Sequence, residues 1–190
     1  LLKSKVPVLL INPHTKTIQP FKHILFPSDF TTASREVFEK TVQLAAQFKA
    51  KITLYHKLPN PIEPVFQSGV YLLGGHWVPV HTYFNSEFKS RKATGEGWVA
   101  WAKSQGVNVE LMIDEKAGST ADSVSALAKK KKVGLICMAS ESGAVGSALL
   151  GSVTRQVVRS ASCPVWVLHA DSSSYSTQHP HTPVSQSVLI

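Results

Sequence analysis

Short apolar runs alternate along the chain with segments whose apolar residues repeat at helical spacing. The runs are rich in Val, Ile and Leu and are mostly continuous, which is typical of parallel strands covered on both faces. They predict five strands, at residues 23–27, 52–58, 109–113, 133–139 and 164–169. The segments between them predict four helices, at residues 32–48, 84–105, 121–131 and 152–161.

This alternation predicts an α/β fold, an open doubly wound five-stranded parallel sheet with helices on both faces. About 150 residues are enough for such a core, which is the usual size of one domain. In these sheets ligands bind beyond the carboxyl ends of the strands, where the strand order reverses. If the fourth predicted strand lies beside the first, residues 27–29 and the loop 139–151 meet in one crevice.

A Gly/Ser-rich loop follows the fourth predicted strand and leads to Gly151-Ser152 at the start of a helical pattern. Small residues there let backbone N–H groups and the positive end of the helix dipole approach an anion closely. The loop therefore indicates a nucleotide-phosphate site. The alternative is a tight turn between strand and helix, because a glycine-rich loop alone is a weak motif.

Four sequence motifs follow one another along the chain in the order of the predicted strands. They are HILFPSDF at the first predicted strand, KITLYHKL at the second, LICMAS at the fourth, and LLGSVTRQVVRSASCPVWVL at the end. Together they resemble a universal stress protein domain over residues 21–171. The resemblance implies a flavodoxin-like or adenine nucleotide alpha hydrolase-like sheet. It also implies an ATP site in some members, marked by G-x-x-G, nine residues and G-[ST], with an Asp after the first strand near the adenine.

The resemblance assigns candidate nucleotide-binding residues position by position. Asp29 matches the acidic residue after the first strand, with Pro27 and Ser28 beside it, and Lys57 matches a position whose backbone lies near the adenine. The G-[ST] end of the phosphate segment is matched by Gly151, Ser152, Val153 and Thr154.

The front half of the phosphate segment departs from the family pattern. Ala139 and Ser142 stand where two glycines are expected, and the loop to Gly151 is one residue short. Gly143 and Gly146 keep the G-x-x-G spacing, but they lie too close to Gly151. A Cβ can block the close approach of a phosphate to the backbone. These positions nevertheless remain part of the candidate site.

Two functions from different classes follow. The first is a cytoplasmic stress-response protein that binds ATP or a related adenine nucleotide as a regulatory ligand, with little or no hydrolysis. The second is a dimerising protein-interaction module that has lost nucleotide binding. Asp29 with Gly151-Ser152 favours the first, and the altered loop favours the second.

Catalysis is not predicted. No lysine stands between Gly151 and Ser152, as a GK[ST] motif requires, and no evident set of residues holds Mg²⁺ and positions a nucleophile. We therefore assign no catalytic residue and leave a requirement for Mg²⁺ open. None of the eight histidines has a metal-ligand spacing such as HExxH, so no metal site is predicted. Asp29 has a second interpretation, as N-cap of the helix that begins near Thr31, and the two roles are compatible.

Charge and composition favour acidic or phosphate-bearing ligands without naming one. The net charge is +8, and four consecutive lysines occupy residues 129–132. Such a run is also typical of a solvated helix C-terminus. Nucleic-acid binding is therefore not predicted. No apolar stretch is long enough to span a membrane and no signal-peptide pattern is present. Two cysteines without a CxxC pairing suit a reducing compartment, so we expect a cytoplasmic protein.

The ends of the chain lie outside the minimal domain. Residues 1–20 form an N-terminal extension in which PVLLI at 7–11 resembles PVWVL at 164–168, so residues 1–13 are interpreted as the end of a preceding repeat; a chance match is the alternative. We expect this segment to pair with the edge of the fifth predicted strand. Through that edge the resemblance implies a homodimer or an intrachain pseudo-dimer. Residues 172–190 form a polar tail.

Overall fold

The computed structural model describes residues 7–13, 15, 20–58, 69–71, 77–140 and 151–169, with the backbone alone at 69–71 and 77–84. Within these residues the main sheet contains β1 (Val8–Leu10), β2 (His23–Pro27), β3 (Lys51–Lys57), β6 (Val109–Asp114), β7 (Leu135–Ser140) and β8 (Val165–His169). A separate antiparallel pair consists of β4 (Gly69–Tyr71) and β5 (Trp77–Pro79). The helices are α1 (Thr32–Phe48), α2 (Val80–Ser104), α3 (Thr120–Lys130) and α4 (Ser152–Ser160).

The main sheet has the strand order β1-β8-β7-β2-β3-β6. The chain builds outward from β2 to β3 and β6, then crosses back to place β7 on the other side of β2. The strand order therefore reverses between β2 and β7, which places a topological switch point there. The expectation that the fourth predicted strand lies beside the first is confirmed.

The doubly wound α/β fold is confirmed, but the prediction of five strands is wrong by one. The sixth strand is β1, which runs antiparallel to β8 and is three residues long. Its pairing with the edge of β8 was expected from the sequence. Its origin in a preceding repeat stays a prediction.

Several predicted boundaries shift for local reasons. β7 begins at Leu135 rather than at Val133, because the N–H of Val133 donates to the carbonyl of Ala128 and closes the end of α3. α2 begins at Val80, four residues before the predicted start. The pair β4–β5, which precedes α2, was not predicted. Its strands contain a glycine and a proline, which weaken a strand pattern.

Two apolar layers enclose the sheet. Ile24 and Phe26 of β2 face the layer under α1 and α2, whereas Leu25 between them faces the layer under α3 and α4. All three side chains are fully buried. Burial of each stabilises the fold by about 1.5–3 kcal/mol. The continuous apolar pattern of β2 is thus explained by burial on both faces.

No helix among the described residues is long and apolar enough to cross a membrane. In the same part of the chain, no three His, Cys, Asp or Glu side chains are grouped so that they could hold a metal ion. Cys137 and Cys163 are both free and buried, and burial raises the pKa of Cys163 to about 11.

Candidate functional site

A cleft of about 280 Å³ opens at the carboxyl ends of β2 and β7, at the switch point of the sheet. Nine of the twelve predicted residues line it, namely Pro27, Ser28, Asp29, Lys57, Ala139, Gly151, Ser152, Val153 and Thr154. The other three, Ser142, Gly143 and Gly146, lie outside the described residues. Sequence reasoning missed the remaining lining residues, Thr31, Ala33, Ser34, Tyr55, His56, Thr120, Met138 and Ser140.

Asp29 is held by the start of α1 through one carboxylate oxygen. Its Oδ1 accepts hydrogen bonds from the N–H of Thr31 at 3.1 Å, the hydroxyl of Thr31 at 2.8 Å and the hydroxyl of Ser34 at 2.5 Å. Oδ2 receives no hydrogen bond from the part of the chain that the structure describes. One oxygen thus fixes the side chain and leaves the other able to accept.

The N-cap of α1 is Thr31, so the alternative interpretation of Asp29 as the cap is wrong. The hydroxyl oxygen of Thr31 accepts from the N–H of Ser34 at 3.2 Å. Asp29 lies two residues earlier, and its Oδ1 accepts a hydrogen bond from the hydroxyl of the capping Thr31. The Asp29 carboxylate thus stabilises the start of α1 through Oδ1 and keeps Oδ2 for another hydrogen bond.

The pKa of Asp29 lies below its ordinary value. Partial desolvation raises the pKa, but the hydrogen bonds from Ser34 and Thr31 favour the charged form and outweigh it. Asp29 is therefore an ionised hydrogen-bond acceptor at neutral pH.

The loop that carries Asp29 is anchored from the α2 side. Phe30 adopts a left-handed backbone conformation with φ of 61°, which is uncommon for a bulky residue. Its ring packs against His56 with centroids 4.9 Å apart and meets Trp98 edge to face at 5.2 Å. Arg91 donates to the carbonyl of Asp29 at 3.2 Å. These contacts hold the loop in a conformation that costs backbone strain.

His56 joins β3 to the same loop. Its Nδ1 lies 2.7 Å from the carbonyl oxygen of Ser28, and because a carbonyl can only accept, Nδ1 carries the proton. Burial lowers the pKa of His56, so the ring is neutral. Nε2 is then an acceptor, and it is buried without a hydrogen-bond partner among the described residues.

The ammonium group of Lys57 is engaged within the protein. Its buried ammonium donates to Asp114 at 3.2 Å, to the carbonyl of Lys116 at 2.7 Å and to the hydroxyl of Ser123 at 3.0 Å. Tyr55 adds a hydrogen bond to the same carboxylate oxygen at 2.7 Å. All three protons of the Lys57 ammonium are therefore used within the protein.

Three helix N-termini border the cleft, and they differ in capping. α1 is capped by Thr31, and α3 is capped by Ser119, whose hydroxyl accepts from the N–H of Asp122. α4 begins after Gly151, which has no side-chain hydrogen bond to offer. The first turn of α4 therefore presents backbone N–H groups without a capping side chain, and such groups favour an anion.

Ala139 and Ser140 end β7 at the cleft. Ser140 is buried and its hydroxyl bonds both the carbonyl of Leu168 at 3.2 Å and Nδ1 of His169 at 2.5 Å. The Ser140 hydroxyl thus ties β7 to β8. Ala139 keeps its place in the lining although the family pattern has glycine there.

Comparison with known proteins defines the family. Residues 20–169 match the universal stress protein family, and the chain belongs to it. A universal stress protein of Methanocaldococcus jannaschii is 28% identical over 155 residues, which span 78% of this chain and 82% of that protein.

Solved structures of the family share the fold. A universal stress protein from Archaeoglobus fulgidus DSM 4304 superposes with a TM-score of 0.63 at 18% identity over 88% of this chain, which spans only 52% of that chain. A universal stress protein in complex with cAMP gives 0.57 at 20% identity, over 80% of this chain and 100% of that chain. One from Archaeoglobus fulgidus in complex with dAMP gives 0.55 at 15% identity, over 80% and 100%. These structural relatives bind adenine nucleotides.

Proposed function

We propose that this universal stress protein binds ATP or a related adenine nucleotide as a regulatory ligand, with little or no hydrolysis. The observation that carries the proposal is that Asp29 and the uncapped start of α4 line one cleft at the switch point. Structural relatives in complex with cAMP and dAMP support the choice of adenine.

The base and ribose lie, in this proposal, on the β2–β3 side of the cleft. Oδ2 of Asp29 accepts a hydrogen bond from the adenine amino group or from a ribose hydroxyl, because Oδ1 is already engaged. The backbone at Lys57 borders the base, while the Lys57 ammonium stays with Asp114.

The phosphates lie at the start of α4. The backbone N–H groups of its first turn and the hydroxyls of Ser152 and Thr154 donate to phosphate oxygens. Ser142, Gly143 and Gly146 belong to the loop that leads there and complete the proposed site. The loop 141–150 contains Glu141 but no lysine or arginine. In this proposal the loop therefore contributes backbone dipoles rather than cations to the phosphate site.

Slow turnover follows from the same composition. Phosphoryl transfer needs a held metal ion and a positioned nucleophile. The carboxylate that the described residues place in the cleft is Asp29, and one of its oxygens is committed to α1. We accordingly assign the nucleotide a regulatory role and leave Mg²⁺ outside the proposal. Free, buried cysteines agree with the cytoplasmic location that we propose with it.

A dimerising module without nucleotide affinity is the second candidate. Ala139 in place of glycine favours it, because Ala139 lines the cleft and carries a Cβ that glycine lacks. Calorimetric titration of the protein with ATP, ADP, AMP and cAMP separates the two. Heat of binding with at least one of them supports the first candidate, and no heat at millimolar ligand contradicts it and favours the second.

Two variants locate the site. Asp29→Asn and Gly151→Val should each weaken binding by at least about tenfold, which corresponds to about 1.4 kcal/mol. Gly151 has φ of −53°, which any residue adopts, so the valine acts through its side chain. Glu96→Gln and Gly97→Val on α2 are matched controls, since Glu96 is exposed and a Cβ at Gly97 meets nothing within 4 Å. Unchanged binding in both cleft variants would contradict the assignment.

A further inference from the structure

One end of the main sheet carries a concentration of positive charge. The parallel strands begin at this end, and the helices that connect them also end there. Cationic side chains from separate parts of the chain therefore meet at this end, namely Lys22, Lys49, Lys51, Lys103, residues 129–132 and Arg159. All of them are exposed or half-buried. We call this surface the basic face, and it lies at the opposite end of the sheet from the cleft that contains Asp29.

The basic face has little negative charge to balance it. Among the described residues, the carboxylate at this end of the sheet is Glu110, and it is already engaged. Its Oε1 accepts hydrogen bonds from the hydroxyl of Thr53 at 2.6 Å and from the ammonium of Lys131. The other described Asp and Glu residues lie at or after the carboxyl ends of β2 and β6, within α1 and α2, or in the first turn of α3. The described part of the basic face therefore has a surplus of positive charge.

The helix dipole explains only part of this charge. Cations favour helix C-termini, which accounts for the basic residues in the last turns of α2, α3 and α4. Lys22 and Lys51 belong to no helix. Lys49 and Lys132 each have φ of 50°, a left-handed conformation in which glycine is the usual residue at a helix end. The chain thus keeps lysine at two positions where the backbone favours glycine.

A groove of about 460 Å³ opens in the basic face between the end of α1 and the turn before β6. Lys22, Lys49 and Lys51 line it, and no described carboxylate does. Nζ of Lys22 donates to the carbonyl of Phe48 at 2.7 Å, and the N–H of Lys51 donates to the carbonyl of Lys22 at 3.0 Å. Three lysines are thus held around one groove, and the ammonium of Lys22 keeps two protons for a further acceptor.

An exposed aromatic ring lies next to the groove. Phe48 precedes Lys49 in the chain and is 41% exposed. Its ring meets that of Phe21 edge to face, with centroids 5.5 Å apart, and Phe21 packs against the layer under α1 and α2. Proteins that bind single-stranded nucleic acids combine a positively charged groove for the backbone with aromatic rings on which bases stack. The basic face provides both elements.

We propose that the groove in the basic face binds a single-stranded polynucleotide, with phosphates at Lys22, Lys49 and Lys51 and a base stacked on Phe48. A groove fits an extended polyanion better than it fits a flat membrane, and the surplus of positive charge attracts one. The sequence did not predict this site, because lysines distant in the chain meet only in the fold. A mononucleotide reaches fewer of these lysines than an oligomer does. The proposal does not depend on nucleotide binding in the Asp29 cleft.

The test measures the fluorescence anisotropy of labelled single strands of uridine and of thymidine, which contain no adenine for the cleft. The unaltered chain should bind at least one of them, and a preference between the two identifies the sugar. The logarithm of the association constant should fall with the logarithm of the salt concentration, by about 0.7 for each phosphate contact.

Two lysine variants with the same change in net charge locate the site. Lys49→Gln/Lys51→Gln should weaken binding by about fivefold for each lost contact at about 0.1 M salt, and should make the salt dependence less steep by about 0.7 for each. Lys92→Gln/Lys116→Gln is the matched control, since both lysines are exposed and lie outside the basic face. It should change the affinity little. Circular dichroism checks that each variant is folded.

A third variant tests the stacking of a base. Phe48→Leu keeps an apolar side chain but removes the ring, so it should weaken single-strand binding at least about fivefold. A duplex of the same length has phosphates but no unpaired base. It should therefore bind the unaltered chain more weakly than the single strand does, and Phe48→Leu should leave its affinity unchanged.

Four results would overturn the proposal. The first is no saturable binding of either single strand, and the second is an equal loss of affinity in the two lysine variants, which would assign binding to the overall charge. The third is a single-strand affinity that Phe48→Leu leaves unchanged. The fourth is binding to vesicles of phosphatidylcholine and phosphatidylserine in equal parts without binding to either strand, which would assign the basic face to an anionic membrane.

Discussion

His56 Nδ1 donates a hydrogen bond of 2.7 Å to the carbonyl oxygen of Ser28. This contact joins β3 to the loop after β2. Because Asp29 follows Ser28 in the chain, β3 also positions Asp29. The same ring stacks on Phe30, which follows Asp29. A buried, neutral histidine therefore holds the acceptor loop from both sides of the aspartate.

Replacing His56 should affect both stability and ligand binding. His56→Phe keeps the ring stack but leaves the Ser28 carbonyl without its donor, which should lower the free energy of unfolding by about 1–3 kcal/mol. It should also weaken nucleotide binding by freeing the Asp29 loop. Urea unfolding and calorimetry measure the two effects.

His23→Phe is the matched control for this variant. His23 is equally buried and its Nε2 lies within hydrogen-bond distance of the Thr53 hydroxyl at 2.8 Å, but it lies at the amino end of β2, away from the cleft. It should lose stability without losing affinity. Equal losses of affinity in both variants would show that His56 has no positioning role.

Stability should fall as the pH is lowered toward about pH 5. Burial lowers the pKa of His23 and of His56 below the ordinary value of 6.5, so both remain neutral in the folded protein while the unfolded chain takes up protons. Stability is therefore full above that value and is lost below it, by up to about 1.4 kcal/mol per pH unit for each histidine.

The buried or hydrogen-bonded carboxylates affect stability in a lower pH range than the two histidines. Asp29, Asp114 and Glu110 have lowered pKa values, so their contributions are lost only below their ordinary values of 3.8 and 4.5. Urea unfolding of His23→Phe/His56→Phe should therefore show a flatter pH dependence above pH 5 than the unaltered protein. An unchanged slope would assign the effect to other groups.

The Lys57–Asp114 pair should behave as a buried ion pair. The two side chains are only 4% and 12% exposed, so Lys57→Met leaves a charge with one partner fewer and should cost about 3–5 kcal/mol. Lys57→Met/Asp114→Asn should cost less than the sum of the single variants, as equilibrium unfolding can measure. Additive losses would mean that the two groups do not interact.

At position 30 a glycine variant should be more stable than an alanine variant, which is the reverse of the order usual in a helix. Its φ of 61° costs an L residue roughly 1–2 kcal/mol, a cost that glycine does not incur. Phe30→Gly should therefore be more stable than Phe30→Ala, although both lose the ring contacts. At Gln43, an exposed position within α1, glycine should be the less stable of the two. The same order at both positions would argue against backbone strain at Phe30.

The sequence predicts those strands and helices whose apolar residues follow a regular pattern along the chain. β2 and α1 were predicted to the residue, because the apolar run of β2 is continuous and the apolar residues of α1 repeat at helical spacing. β1 is too short to be counted from periodicity, and only its likeness to β8 indicated its place. The pairing of one strand with another depends on residues far apart in the chain, so a local pattern of apolar residues does not predict it.

The site was predictable only in part for a similar reason. Asp29 and Gly151 were found through motifs that follow strands, and the switch point brings them to one cleft. Tyr55 and His56 lie within the KITLYHKL motif but were assigned no role in the site, and Thr120 lies in none of the four motifs. They enter the lining because β3 ends and α3 begins beside the cleft. The engagement of the Lys57 ammonium by Asp114 could not be read from residues so far apart in the chain.

A ¹H–¹⁵N NMR titration of the full chain with AMP and with ATP tests the central claim most directly. Saturable shifts of the amides of Ser152, Val153 and Thr154, together with that of Asp29, are the predicted result. Amides at the opposite end of the sheet, such as those of Lys22 and Gly106, should not move. Shifts confined to that opposite end, or no saturable shift with either nucleotide, would contradict the account.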